Sequence, residues 1–191
     1  IATLPVQAAA DRDRQLRDWQ PAPSPVPGLP GMFASQVRRT PGAIAVECAG
    51  VRLTYAALDA RAGDIATLLL DAGMTADVPV AICMERSPDM LAAVLGVLRA
   101  GGHYLPLDPA HPPARRAFVL KDSGARLLLT SPGQVLHVAA VGAPSGATVL
   151  PLETRGLDSR GSTVAAEAAP SAFDDSATNE IYTSGSTGQP K

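Results

Sequence analysis

Aromatic side chains and an excess of one charge are both scarce in this sequence. Only 4% of the 191 residues are Phe, Trp or Tyr, and 16 basic residues against 18 acidic ones leave a formal net charge of -2. Proteins that bind nucleic acid present clustered Lys and Arg to the phosphates, and those that bind single strands add aromatic platforms for the bases. The composition therefore argues against a nucleic-acid partner.

Long apolar runs are also lacking. The most apolar stretch, residues 90–98, ends at Arg99 and is well short of the roughly 20 residues that cross a bilayer. Residues 1–13 have neither a basic start nor a continuous apolar middle, so they do not resemble a secretory signal. We expect no membrane partner, and the start at Ile1 suggests a piece of a longer protein.

Cysteine is rare and histidine is scattered. The two cysteines, Cys48 and Cys83, are far apart and have no CxxC or Cys/His spacing, which argues against a disulfide framework or a metal site. The three histidines fall on different predicted elements without metal-ligand spacing, so we assign them no catalytic role: His103, His111 and His137. We predict two reduced, packed thiols, no protein metal ligands, and a cytoplasmic location.

The sequence contains enough apolar residues for one sizeable core, since 46% of the chain is hydrophobic. Short apolar runs at 78–84, 126–130 and 148–152 are typical of strands buried on both faces, and residues 43–53 predict a hairpin that turns at Ala49-Gly50. Helical patterns lie between the runs. This alternation predicts an α/β fold with a mainly parallel sheet and flanking helices.

Capping residues mark where the helices begin and end. Thr54 predicts the start of one helix and Gly73 its stop, while Ser87, followed by Pro88, predicts the start of the next. The apolar residues of the first helix repeat at helical spacing: Leu58, Ala62, Ile65 and Leu69. A shorter helix is predicted over 31–39, and others over 114–122 and from 131 towards 141.

Three segments are predicted to lie outside this framework. Residues 11–19 suggest a short polar helix, and residues 21–30 hold five prolines, which favour an extended, semi-rigid tether. That tether is either a free interdomain linker or a strap across its own domain. Residues 153–176 are polar and small, which predicts a surface excursion, and 179–183 predict a short edge strand.

The last eleven residues, IYTSGSTGQPK, combine glycines, hydroxyls and a lysine. Two glycines allow close approach of backbone N–H groups to an anion, and the neighbouring side chains add hydroxyl donors and a positive charge. We predict that a polyphosphate is bound by Thr183, Ser184, Gly185, Ser186, Thr187, Gly188 and Lys191. The alternative is a flexible Ser/Gly linker. A nucleotide-hydrolase P-loop is excluded because Pro190 stands where that motif needs glycine.

Three separated stretches resemble one known family. LTYAAL at 53–58, LRAGGHYLPLDP at 98–109 and IYTSGSTGQPK at 181–191 are similar, in this order, to the first three core motifs of adenylate-forming enzymes. The resemblance is closest to the adenylation domains of nonribosomal peptide synthetases, and FVLKDSGARLLLT at 118–130 is also similar. It implies that residues 31–191 form the first part of the large N-terminal subdomain of that fold, and that 1–30 are an extended Pro-rich linker following a condensation domain.

The resemblance also implies the chemistry. In that family an amino-acid carboxylate attacks the α-phosphate of ATP, pyrophosphate leaves, and the aminoacyl group passes from AMP to the phosphopantetheine thiol of a peptidyl-carrier domain. ATP and Mg²⁺ are the implied ligands, and the loop ending at Lys191 would surround the β- and γ-phosphates. The pathway would make an antibiotic or a siderophore.

Two departures from the family and one partner follow from the same comparison. Ala57 stands where the family usually has Glu, so a capping box with Thr54 is missing. The later family motifs are absent from these residues, so we expect the fragment alone to be inactive. An MbtH-like helper protein could dock beside Arg115 and Arg116, although a solvated helix start is the alternative.

Two other functions stay open at this level. The segment could be a docking or structural module that holds a condensation domain or an MbtH-like partner. It could also belong to a free-standing acyl-CoA or aryl-acid ligase.

Overall fold

The computed structural model describes residues 28–152 and 181–182. Helix α1 spans Leu29–Arg39 and is followed by two antiparallel strands, β1 (Ile44–Cys48) and β2 (Val51–Thr54). The predictions for 11–19, for most of the proline tether and for 153–176 lie outside the described residues. The predicted short helix at 31–39 is confirmed and begins two residues earlier, at Leu29.

The hairpin turn is formed by two left-handed residues. Ala49 has φ 49° and Gly50 has φ 81°, and the pair Cys48 and Val51 closes the turn. Two successive positive φ angles characterise the type I′ turn, whose twist matches that of the flanking strands. The predicted hairpin and the position of its turn are confirmed.

Helix α2 spans Tyr55–Asp71, as its capping residues predict. The Thr54 hydroxyl accepts the Ala57 N–H at 3.2 Å, and the helix ends before Gly73, which has φ 85°. The four residues predicted at helical spacing are all buried: Leu58, Ala62, Ile65 and Leu69. A single apolar stripe therefore fixes which face of α2 meets the rest of the fold.

The remaining elements alternate between strand and helix. In chain order they are β3 (Pro79–Cys83), α3 (Pro88–Arg99), β4 (His103–Pro106), α4 (Pro113–Ser123), β5 (Leu127–Thr130), a 3₁₀ turn (Pro132–Gln134), α5 (Val135–Ser145) and β6 (Thr148–Pro151). The four strands form one parallel sheet in the order β4-β3-β5-β6. The prediction of an α/β fold with a mainly parallel sheet is confirmed.

The sheet is covered on both faces, so its strands are apolar throughout. On one face Val80 and Ile82 join a core cluster with α2 and α3, and on the other Ala81 and Cys83 join a second cluster with α4 and α5. Because successive side chains of a strand point to opposite faces, one strand supplies both cores. The described fold has three layers.

Helices α2 and α3 approach closely. A Cβ placed on Gly96 would lie 2.7 Å from Ile65 Cγ2 and 3.0 Å from the Ala62 carbonyl oxygen, so only glycine fits there without movement. Two partly buried ion pairs tie the same helices together, Arg61 to Asp89 at 2.6 Å and Arg99 to Asp59 at 2.9 Å. Helices α2 and α3 therefore pack together as one layer on one face of the sheet.

One strand prediction is wrong for the residues that can be checked. Residues 179–183 were expected to form an edge strand, but Ile181 and Tyr182 belong to no strand. The Tyr182 hydroxyl donates to an Asp122 carboxylate oxygen of α4. Within 28–152 and 181–182, no helix has the length and apolar character needed to cross a membrane.

Candidate functional site

The sheet has a topological switch point between β3 and β5. The chain leaves β3 through α3 on one face, whereas it leaves the adjacent β5 through α5 on the other face. Ligands of open α/β sheets bind in the crevice that opens where neighbouring connections diverge, outside the carboxyl ends of the strands. The ends of these two strands, Cys83 and Thr130, therefore mark the candidate site.

The two strand ends are locked together by a buried hydrogen bond. The Thr130 hydroxyl donates to the Cys83 carbonyl oxygen at 3.0 Å, and both residues are 0% exposed. Just beyond them, the Gln134 side-chain amide donates to a Glu85 carboxylate oxygen at 3.3 Å. The first bond is made by a side chain to the β3 backbone and the second by two side chains, so both connect the segments at this end of β3 and β5.

Arg116 is the unexpected residue at this edge. It lies in the first turn of α4, is only 7% exposed, and its Nη1 donates to Cys83 Sγ at 3.8 Å. Its Nε has no hydrogen-bond partner, and no carboxylate lies within 4.0 Å of its guanidinium, in the part of the chain that the structure describes. The interpretation of Arg115 and Arg116 as a shared solvent-facing surface is wrong for Arg116.

The reason for that error is helical periodicity. Arg116 is followed at three and four residues by Val119 and Leu120, which are both buried, so all three share the inward face of α4. The apolar spacing was visible in the sequence, but the charge of Arg116 suggested the opposite orientation. Arg115, one position earlier, is partly exposed.

Burial and charge act together on the Cys83 thiol. Burial raises its pKa above the ordinary value of 9.0, Arg116 partly offsets this by donating a hydrogen bond and by its positive charge, and Asp108 raises the pKa further. Asp108 itself accepts the Ala110 N–H at 2.8 Å, which forms the turn predicted at Asp108-Pro109. Cys83 is therefore a protonated packing group at the crevice, with a neutral thiol.

Tyr182 holds the segment that leads into the predicted phosphate loop. Its hydroxyl donates to Asp122 Oδ2 at 2.8 Å, and its ring packs against the core cluster beneath α4 and α5. Ile181, the preceding residue, is 63% exposed. Neither the sequence pattern nor the family motif pointed to Asp122 as the partner, because 60 residues separate the two side chains.

The predicted phosphate-binding residues themselves lie outside the described part of the chain: Thr183, Ser184, Gly185, Ser186, Thr187, Gly188 and Lys191. The structure gives the crevice and the residue that immediately precedes this loop. Within residues 28–152 and 181–182, no group of three or more His, Cys, Asp or Glu side chains could hold a metal ion.

Residues 33–191 match the model of the AMP-binding enzyme family. A plipastatin synthase of Bacillus subtilis (strain 168) is 47% identical over 167 residues, which are 86% of this chain and 6% of that protein. Phosphinothricin tripeptide synthetase PhsB of Streptomyces viridochromogenes is 40% identical over 200 residues, covering 100% of this chain and 16% of that protein. The chain thus spans a small fraction of the length of these relatives.

Solved structures match as well. The nonribosomal peptide synthetase FmoA3 bound to α-methyl-L-serine-AMP is 34% identical with a TM-score of 0.76, covering 97% of this chain and 20% of that one. The AMPPNP-bound form of FmoA3 is 35% identical with a TM-score of 0.73, covering 93% and 18%.

Proposed function

Because the chain belongs to the AMP-binding enzyme family, we propose that it forms the nucleotide-binding part of an adenylation domain in a nonribosomal peptide synthetase. The intact enzyme would be an AMP-forming ligase that activates an amino acid with ATP and loads it onto a carrier-protein phosphopantetheine thiol. The observation that carries this proposal is the switch point between β3 and β5, and it is supported by the glycines and hydroxyl residues that follow Tyr182 in the sequence.

The proposed domain plan divides the chain near residue 30. Residues 1–30 would link a condensation domain to the adenylation domain, and the start of the family match at residue 33 supports this division. A peptidyl-carrier domain would receive the product, and an MbtH-like protein remains a proposed partner. The relatives named for plipastatin and phosphinothricin tripeptide support an antibiotic pathway. The two free cysteines support a cytoplasmic location.

This part of the enzyme would align the substrate carboxylate with ATP and neutralise the negative charge of the phosphates. The attacking carboxylate is already an anion, so the first step needs no protein base or covalent nucleophile. Backbone N–H groups of Gly185 and Gly188, hydroxyls between them and the Lys191 ammonium would bind the β- and γ-phosphates and stabilise the pyrophosphate as it leaves. FmoA3 has been solved with AMPPNP, which supports ATP as the nucleotide.

Mg²⁺ is proposed to enter with the nucleotide. The described residues contain no cluster of metal-binding side chains, and Mg²⁺ in phosphoryl chemistry is commonly bound through substrate phosphates and one or two carboxylates. When bound, it would neutralise phosphate charge, and no residue among those described is assigned to it.

The proposal is tested by amino-acid-dependent exchange of pyrophosphate into ATP. A polypeptide that continues beyond Lys191 through the length of its relatives' adenylation domain should support exchange with one or a few amino acids. Exchange with none of a full panel would count against the proposal. Formation of an acyl-CoA product instead would identify a free-standing ligase, and partner binding without nucleotide dependence would identify a docking module.

Lys191 provides the first mutational prediction. In the same polypeptide, Lys191→Ala should lower kcat/KM for ATP at least about ten-fold, because a charge-assisted contact to phosphate contributes roughly 1.5–3 kcal/mol. The matched control is Lys121→Ala, which removes the other lysine of this chain from an exposed position on α4. Equal kinetics for the two variants would show that Lys191 does not contact the nucleotide.

A further inference from the structure

A buried positive charge lies in the first turn of α4. Arg116 is 7% exposed, and its guanidinium makes one hydrogen bond to the described residues, from Nη1 to Cys83 Sγ at 3.8 Å. Sulfur is a weak acceptor. Nε has no acceptor, and no carboxylate of residues 28–152 and 181–182 lies within 4.0 Å of the guanidinium. Burial of a cation in such surroundings costs free energy unless another group neutralises it.

The carboxylates at the two ends of α4 have other partners. Asp108, in the turn before the helix, accepts the Ala110 N–H at 2.8 Å, and Asp122, near the end of the helix, accepts the Tyr182 hydroxyl at 2.8 Å. Neither carboxylate forms an ion pair with Arg116 in the part of the chain that the structure describes. The described fold therefore supplies no anion to this guanidinium.

The N-terminal end of α4 adds positive charge at the same place. No side chain caps this end, and the first turn holds two arginines, Arg115 and Arg116, and no acidic residue. The N-terminus of a helix carries a partial positive charge, so it is stabilised by anions and destabilised by cations. Because Pro112 and Pro113 have no N–H, an anion bound here would take its hydrogen bonds mainly from the Arg116 guanidinium.

We propose that Arg116 and the N-terminal end of α4 form an oxyanion-binding site that takes a phosphate group. Nη1 is occupied by Cys83 Sγ, which leaves Nε and Nη2, the edge of a guanidinium that can donate two parallel hydrogen bonds to one phosphate. The contact with Cys83 places Arg116 at the carboxyl end of β3, beside the switch point. The proposed site uses no residue of 183–191.

Two sources of phosphate fit this chemistry. One is free inorganic phosphate, and the other is a phosphate group of a bound nucleotide, which rests on the function proposed above. Both present the same oxyanion to the guanidinium, so they are distinguished by experiment.

Occupation of the site should stabilise the folded protein, because a ligand that binds only the native state raises its stability. We expect inorganic phosphate to raise the Tm of the wild type relative to chloride at equal ionic strength. Phosphate also stabilises proteins without binding a site, so the measured quantity is the difference between the wild type and Arg116→Met. Since methionine fills the buried space without a charge, Arg116→Met should have a Tm in phosphate-free buffer no lower than that of the wild type.

The experiment uses the full adenylating polypeptide. Inorganic phosphate and a non-hydrolysable ATP analogue are each titrated by calorimetry into the wild type, Arg116→Met and Arg116→Lys. We expect Arg116→Met to weaken phosphate binding about ten-fold or more, because a charge-assisted contact is lost. Arg116→Lys keeps the charge and loses the two-donor edge, so its phosphate affinity should be intermediate.

Two further variants serve as controls. Arg115→Met removes the neighbouring, partly exposed charge from the same helical turn, and it should change phosphate affinity less than about two-fold, because solvent screens an exposed charge. Lys191→Ala removes the lysine of the glycine-rich segment, and the difference in phosphate affinity between Arg116 and Arg116→Met should persist in that background.

The ATP analogue identifies the source of the phosphate. If Arg116→Met weakens the analogue together with inorganic phosphate, the site takes a phosphate of the nucleotide. If it weakens inorganic phosphate alone, the site takes the free ion. Both results support the proposal.

Two results would overturn the oxyanion site. One is equal phosphate affinity and an equal phosphate-dependent rise in Tm for the wild type and Arg116→Met. The other is the absence of phosphate binding by the wild type, which is also the result expected if a carboxylate of another protein segment neutralises Arg116. If Arg116→Met does not fold, the wild type and Arg116→Lys still decide. Absence of pyrophosphate exchange would count against the proposed function and leaves the titration with inorganic phosphate as a test of the site.

Discussion

At the scale of single residues, a buried arginine, Arg116, contacts a buried thiol, Cys83, at the carboxyl edge of the sheet. The guanidinium contacts a thiol and no described carboxylate, which is an unusual environment for a buried cation. The thiol remains protonated because burial raises its pKa more than Arg116 lowers it. Both residues therefore help to shape the crevice, and the Cys83 thiol does so in its neutral form.

The raised pKa of Cys83 predicts how stability depends on pH. As pH rises, the unfolded chain loses this proton near the ordinary pKa of 9.0, before the folded chain does, so ionisation favours unfolding. The free energy of unfolding should therefore fall as pH rises above about 9, by up to about 1.4 kcal/mol per pH unit from this group. Urea unfolding between pH 7 and 10 measures it, and Cys83→Ala should show a smaller fall.

The control for that prediction is the second cysteine. Cys48→Ala removes a half-buried thiol on β1 that donates weakly to the Arg86 carbonyl oxygen. Comparing it with Cys83→Ala separates the effect of losing a thiol from the effect of losing the buried thiol at the sheet edge. If Cys83→Ala and the wild type lose stability in parallel above pH 9, the inferred protonation of Cys83 is wrong.

At the scale of elements, the beginnings and ends of helices followed their capping residues closely. Thr54 and Ser87 accept N–H groups three residues later, at 3.2 Å in each case, at the helix starts that the sequence predicted. Such contacts are local, so residue type and spacing are enough to predict them. The first turn of α2 nevertheless carries no acidic residue, because Ala57 occupies the third helical position.

This missing partner leads to a stability prediction for α2. Ala57→Glu should complete a capping box with Thr54 and place a negative charge near the helix N-terminus, which together stabilise by about 0.5–1 kcal/mol. Ala57 is exposed, so the new side chain meets no steric obstacle in the described fold. The measurement is the free energy of unfolding in urea.

A neighbouring substitution isolates the capping contribution. Ala56 is also exposed in the first turn, and Ala56→Glu adds the same charge where it cannot complete the box. It should stabilise α2 by the smaller electrostatic amount alone. Equal gains from the two variants would contradict a role for the reciprocal side-chain contact.

At the scale of the whole molecule, the sheet order places the candidate site, and the sequence predicted the class of the sheet without its order. Alternating strands and helices indicate parallel pairing, but the position of β5 beside β3 depends on packing between distant segments. The same is true of Arg116 against Cys83 and Tyr182 against Asp122, which are 33 and 60 residues apart. Patterns of local spacing do not contain these contacts.

This chain covers a small fraction of the length of its relatives, and a prediction about its activity follows from that. These 191 residues by themselves should give no amino-acid-dependent pyrophosphate exchange, because the matching segment is 6% and 16% of the two relatives compared. The polypeptide continued through the length of the relatives' adenylation domain should give exchange under identical conditions. Pyrophosphate exchange at a comparable rate by the 191 residues alone would contradict the prediction that they are inactive by themselves.

The crossing of α2 over α3 limits how this protein can change during evolution. Since a single added carbon at Gly96 would lie within 2.7 Å of Ile65, the two positions share one small volume. A larger residue at position 96 can be accommodated only after position 65 has become smaller, which makes the order of substitutions matter. Among related proteins with the same helix crossing, we therefore expect a larger residue at the position of Gly96 to occur together with a smaller residue at the position of Ile65.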